Sequence, residues 1–142
     1  MGGRHASDVA LLMLRMAAGG FLLPHALGKL FGWFNGPGLA GFARELRGFG
    51  LPAGRPLPLL LALTQVLSGT AVLLGWHTQA AAVAAAAFIA FTAVLALPHG
   101  WFWMRGGVEY PLMWTLILLA VALSGGGAFS LDSLLVSPGA PS

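Results

Sequence analysis

The sequence predicts an all-α integral membrane protein. The expected form is a four-helix bundle with an up-down-up-down path and a short interfacial amphipathic helix between spans one and two. Three observations predict it. Hydrophobic residues make up 58% of the 142 positions and charged residues only 8%, where a soluble domain carries about 25% charged residues. The mean hydropathy is +0.85, and a soluble chain of this size cannot cover its surface with so few charges. Four apolar stretches, each near the roughly 20 residues a helix needs to cross the hydrocarbon core, are separated by Gly and Pro. The solvent for most of the chain is therefore lipid, and the length suits a single membrane domain, residues 1–142.

Span one is expected over about residues 7–33. Ser7 and Asp8 are good helix-start residues, and Asn35-Gly36-Pro37-Gly38 ends the apolar pattern. Arg4 and the apolar run after it have the outline of a cleaved leader. Asp8 and Arg15 interrupt that run and the pattern continues to Phe34, so it reads as a retained membrane helix. In residues 39–49, Leu39, Phe42, Leu46 and Phe49 recur at helical spacing, with Arg44, Glu45 and Arg47 between them. The stretch is too short to span and reads as an amphipathic helix lying in the interface.

Gly50-Leu51-Pro52 breaks the chain, and Pro56 and Pro58 open span two, residues 57–76. Along it Leu61, Gln65, Ser68, Gly69 and Val72 share a small and polar face of the kind that packs helices in lipid. Span three, residues 78–97, has a core of AAAVAAAAF that permits close helix approach, and Pro98-His99-Gly100 ends it. Span four, residues 109–124, is short, which implies tilt or local bilayer thinning. Gly125, Gly126 and Gly127 then release the tail AFSLDSLL. Short connections on either side of span three favour antiparallel neighbours.

Several function classes drop out at once. The net charge of +3 comes from seven Lys/Arg against four Asp/Glu. The arginines are scattered, with no run and no aromatic interleaving that would track nucleic acid. With no cysteine, the chain has no disulfide, thiol catalysis or iron–sulfur ligation. Neither a carboxylate pair at one depth nor a nucleophile elbow is present. Haem or metal ligation lacks a His-x-x-x-His pair or a carboxylate-rich companion set.

Alternating span direction sorts the remaining polar residues. The end of span one, the start of span two, the end of span three and the start of span four share one side. That side collects His25, Lys29, His99, Arg105, Glu109 and Tyr110, with Trp33, Trp101 and Trp103 as an interfacial aromatic belt. Gln65 falls near the midplane, and Arg15 nearer the opposite side, with Asp132 in the tail. His25 and Lys29 are i and i+4 on one face. Arg15 and Lys29 lie within about 40° of each other around the helix. A stripe of Arg15, His25 and Lys29 facing inward would meet Gln65, His99 and Glu109. Arg15 is the hardest to leave facing lipid, since an unpaired guanidinium at that depth costs about 3 kcal/mol on insertion scales. Gln65 and Asp132 are its expected partners.

Each polar residue also has a plainer role. Lys29 can snorkel to the interface, Glu109 suits a helix N-terminus, His99 suits a loop, and Gln65 suits an interhelical hydrogen bond. Cationic and hydrogen-bonding groups around an aromatic-lined apolar cavity are permissive for a quinone or another small amphipathic ligand. No cofactor is encoded by a motif.

The chain resembles the DoxX family of small four-span prokaryotic membrane proteins over about residues 11–132. In LLMLRMAAGGFLLPHALGKLFG, Arg15, His25, Lys29 and Gly32 fall at the family's arginine and its His-x-x-x-Lys-x-x-Gly. GPGLAGFARELRGFGLP is similar to the family's glycine-rich reentry. Gly69, Gly75 and Thr78, then Gly107, Glu109 and Tyr110, and finally Ser130 to Asp132 continue the likeness. At position 65 the family usually carries glutamate, and this chain has Gln65.

The resemblance implies a subunit or accessory protein of a quinone-linked oxidoreductase system in the cytoplasmic membrane, acting with a membrane or secreted partner. The alternatives are a non-catalytic scaffold or maturation factor for such a partner, and a small transporter or channel. Four spans are few for the last unless the chain forms a homo-oligomer. Loop cations give an orientation: Arg44, Arg47, Arg55 and Arg105 on one side against Arg4 on the other favour outward-facing termini.

Overall fold

The structure, a computed structural model, describes residues 2–52, 54 and 56–136. Arg55, one of the loop cations counted above, lies outside the described residues. All regular structure among the described residues is helical. The helices are α1 (Gly2–Phe31), α2 (Gly38–Gly48), α3 (Pro56–Leu74), α4 (Thr78–Ala96), α5 (Glu109–Ser124) and α6 (Leu131–Leu135).

Helix α1 starts upstream of the expected caps Ser7 and Asp8, and both side chains are used otherwise than as caps. The Ser7 hydroxyl donates back to the Gly3 carbonyl at 2.9 Å, and Asp8 accepts from the Ala128 amide at 3.0 Å. Pro24 lies inside α1 without ending it. The helix stops at Phe31, two residues short of expectation, because Gly32 turns left-handed at φ 74°. A 3-10 turn over Trp33–Asn35 follows. Helix α4 likewise gives way to a 3-10 turn at Leu97–His99.

Among the described residues, three segments, Gly2–Phe31, Pro56–Leu74 and Thr78–His99, are long and apolar enough to cross a membrane. Helix α5 has 16 residues, about 24 Å at 1.5 Å per residue, against a hydrocarbon core of about 30 Å.

Helix α1 packs on α3, α3 on α4, α4 on α5 and α5 on α1, with α2 against α1 and α3. Small residues let the backbones approach, as expected where van der Waals packing holds helices together in lipid. A Cβ on Gly19 would stand 2.6 Å from the Gly69 carbonyl oxygen. The main core sets Ala82, Ala85 and Ala86 of α4 against Leu118 and Val121 of α5, with Leu22 and Val72 completing it. Large side chains such as Phe21, Leu67, Val83 and Leu123 point outward, which is the pattern of a surface solvated by acyl chains.

Candidate functional site

The expected inward stripe splits in two. At one end Arg15, 1% exposed, places its guanidinium among four backbone carbonyls. Nε donates to Val72 O at 3.1 Å and Nη2 to Leu73 O at 3.0 Å. Nη1 donates to Gly126 O at 2.7 Å and Phe129 O at 2.9 Å. Val72 and Leu73 belong to the last turn of α3, whose carbonyls have no partner within the helix. A cation there also complements the negative end of the helix dipole. The expected partners Gln65 and Asp132 are therefore corrected to main-chain oxygens. They surround a five-donor planar fork more completely than one side chain can.

Asp132 works beside it. Its carboxylate accepts from the His77 amide at 2.7 Å, the Thr78 amide at 2.9 Å and the Thr78 hydroxyl at 2.6 Å. It thus caps the N-terminus of α4 from the far end of the chain. Burial by itself would raise the Asp132 pKa. The hydrogen bonds from Thr78 and His77, with the charge of His77, outweigh burial and hold the carboxyl below its ordinary value. Gly75, at φ 71°, makes room for this junction, because a Cβ there would run into Ser130 and the Arg15 guanidinium.

At the other end Lys29 reaches inward from α1. Its ammonium donates to Gln65 Oε1 at 3.2 Å and lies over two rings, 4.8 Å from the centroid of Phe42 and 5.2 Å from that of Phe88. Both distances are within cation–π range. Gln65 is 3% exposed. The contact that sequence reasoning offered to Lys29, with Glu109, is not made. Glu109 instead accepts from the Trp103 amide at 3.2 Å.

Three cavities meet at Lys29: one of about 390 Å³ beside Gly28, Trp33, Pro37 and Glu45, and two that α4 helps to wall. Of these two, one, of about 410 Å³, runs between α2 and α4 past Phe42, Phe49 and Phe88 toward His99 and Arg105. The other, of about 230 Å³, is lined by His25, Gln65, Thr92, Tyr110 and Trp114. His25 and Tyr110 are exposed at its edge. Tyr110 stacks on Trp103, with ring centroids 5.2 Å apart. His99 is exposed and meets the Phe49 ring edge-on at 6.4 Å.

The structure thus brings together Lys29 and Gln65 directly. His25 and Tyr110 join them around the smallest cavity, and His99 lies around the largest. Arg15 and Asp132 stand apart at the opposite end, and Glu109 serves a local turn. Sequence reasoning missed Phe88 and Thr92. The only trace of Phe88 was a single large ring closing an alanine run. Among the described residues no group of three or more His, Asp or Glu side chains is arranged to hold a metal ion.

The DoxX family model matches residues 10–98, which takes in Arg15, the cavities' α1 and α4 walls, and Gln65. No curated protein and no solved structure matches the chain.

Proposed function

The chain belongs to the DoxX family, and from that premise we propose that it is a subunit or accessory protein of a quinone-linked oxidoreductase system. Its four long helices cross the prokaryotic cytoplasmic membrane as an up-down-up-down bundle, with α2 in the interface. A quinone-like headgroup lies beside Lys29. The observation that carries this reading is the state of that ammonium. It has three donors, one of which goes to Gln65, and it borders all three cavities. A ring carbonyl is an acceptor for the remaining donors, and Phe42 and Phe88 offer aromatic faces to a flat ring. A bound quinone would supply two-electron redox chemistry. The chain's own residues would bind and orient it and keep bulk water out, and a partner would exchange the electrons.

Quinone extraction from detergent-purified protein, followed by melting with added quinone analogues, tests this. Co-purified quinone and an upward melting shift that Lys29→Met abolishes are the expected results. Absence of quinone together with unchanged melting sinks the reading.

A second reading, a non-catalytic scaffold or maturation factor, is favoured by a different observation. Every buried side-chain nitrogen and oxygen among the described residues has a hydrogen-bond partner, as in a purely structural network. A mild-detergent pull-down that recovers no stable partner counts against it. For orientation, Arg44, Arg47 and Arg105 gather at the Lys29 end, so both termini face outward. A reporter active only in the cytoplasm, fused after Ser142, should be silent.

A further inference from the structure

Helix α2 has two working faces. Phe42, Glu45, Leu46 and Phe49 face the largest cavity beside Lys29. The opposite face carries Leu39, Ala43, Arg44 and Arg47 and forms, with Pro58 and Leu59 of α3, a separate open groove of about 450 Å³. Arg44 and Arg47 are exposed and three residues apart. On a helix their Cβ atoms are therefore neighbours, about 5–6 Å apart. The floor of the groove is apolar and its rim doubly cationic. Its place is equally informative: α2 joins the end of one membrane-length helix, α1, to the start of another, α3. With α2 in the interface, as the proposed membrane arrangement has it, the groove opens where the hydrocarbon region meets the headgroups.

We propose that this groove is a binding site for an anionic phospholipid. The phosphate lies between Arg44 and Arg47, and an acyl chain follows Leu39, Pro58 and Leu59 down α3. Guanidinium groups bind phosphate through paired donors, and the apolar floor separates a lipid from a free anion. The site does not depend on what occupies the cavities at Lys29, since α2 turns its other face to them.

The test uses the full chain, delipidated in a neutral detergent. Melting is followed with added phosphatidylglycerol, phosphatidylcholine or inorganic phosphate, and native mass spectrometry counts retained lipids. Phosphatidylglycerol should raise the melting temperature, while phosphatidylcholine and inorganic phosphate leave it unchanged. The R44Q/R47Q variant should bind phosphatidylglycerol about tenfold more weakly. The R44K/R47K variant, which keeps the charge but loses the fork, should fall between. The preference for phosphatidylglycerol over phosphatidylcholine is read within each variant, so a change in basal stability does not mask it. Equal response to the two lipids, an equal shift with inorganic phosphate, or an undiminished preference in R44Q/R47Q overturns the proposal.

Discussion

Arg15 and Lys29 are carried by the same helix, fourteen residues apart, and they end in opposite circumstances. Arg15 is closed in by carbonyls from α3 and from the segment after α5. Its charge is spread over four acceptors. Lys29 has one polar partner among the described residues, two aromatic faces, and three cavities at its head. A buried cation that is fully surrounded holds a fold together. One that keeps donors toward open space is arranged for something that arrives later. The guanidinium suits the first task because it is planar and always charged, and the ammonium suits the second because its donors rotate.

Five variants separate these roles, ordered here by expected loss of stability. Arg15→Leu should cost the most, about 3 kcal/mol or more, since it strips charge-assisted hydrogen bonds from several buried carbonyls at once. Arg15→Lys should recover only part of that. Unfolding in mixed micelles reads both. A loss for Arg15→Leu no larger than that for an exposed position would break the contrast.

Asp132→Asn should cost about 1 kcal/mol through the weakened cap on α4. It also carries a pH signature. A carboxyl whose folded pKa is depressed contributes its full stabilisation above its unfolded value of about 3.9. That contribution disappears as pH falls through the folded value. The direction set by Thr78 and His77 therefore makes wild-type stability drop below about pH 4, and the Asp132→Asn profile should be flatter there. Parallel acid limbs for the two proteins would remove Asp132 from the junction's energetics.

Lys29→Met should cost about 1 kcal/mol or less, because Met fills the same space between Phe42 and Phe88 and only Gln65 loses a partner. Its effect belongs to ligand binding, where the melting shift caused by quinone analogues should vanish. Arg15→Lys, where it folds, should keep that shift. His99→Ala should change stability by no more than about 0.5 kcal/mol, its side chain being exposed at the rim of the largest cavity beside Lys29. A loss of stability for Lys29→Met equal to that for Arg15→Leu would mean that both ends are structural, which is what the scaffold reading requires.

Much of this was legible in the sequence, for reasons that do not need the fold. Composition alone says that lipid is the solvent, since so few charges cannot clothe a water-soluble surface. The cost of a bare guanidinium in hydrocarbon turns Arg15 inward whatever surrounds it. Glycine and proline mark where helices stop, although Gly32 halts α1 earlier than the apolar pattern does, because a left-handed turn overrides hydrophobicity. The acceptors of Arg15 were not legible. They are main-chain carbonyls, and every residue has one, so no letter marks those of Val72, Leu73, Gly126 and Phe129. Only the meeting of the α3 terminus with the segment after α5 selects them. The surroundings of Lys29 are the same kind of fact. Phe42 and Phe88 come from separate helices, and the space beside them is what remains when α2 and α4 pack as they do. A sequence determines where each group can afford to be. Cavities and carbonyl cradles belong to distances between segments, and those exist only once the helices have docked.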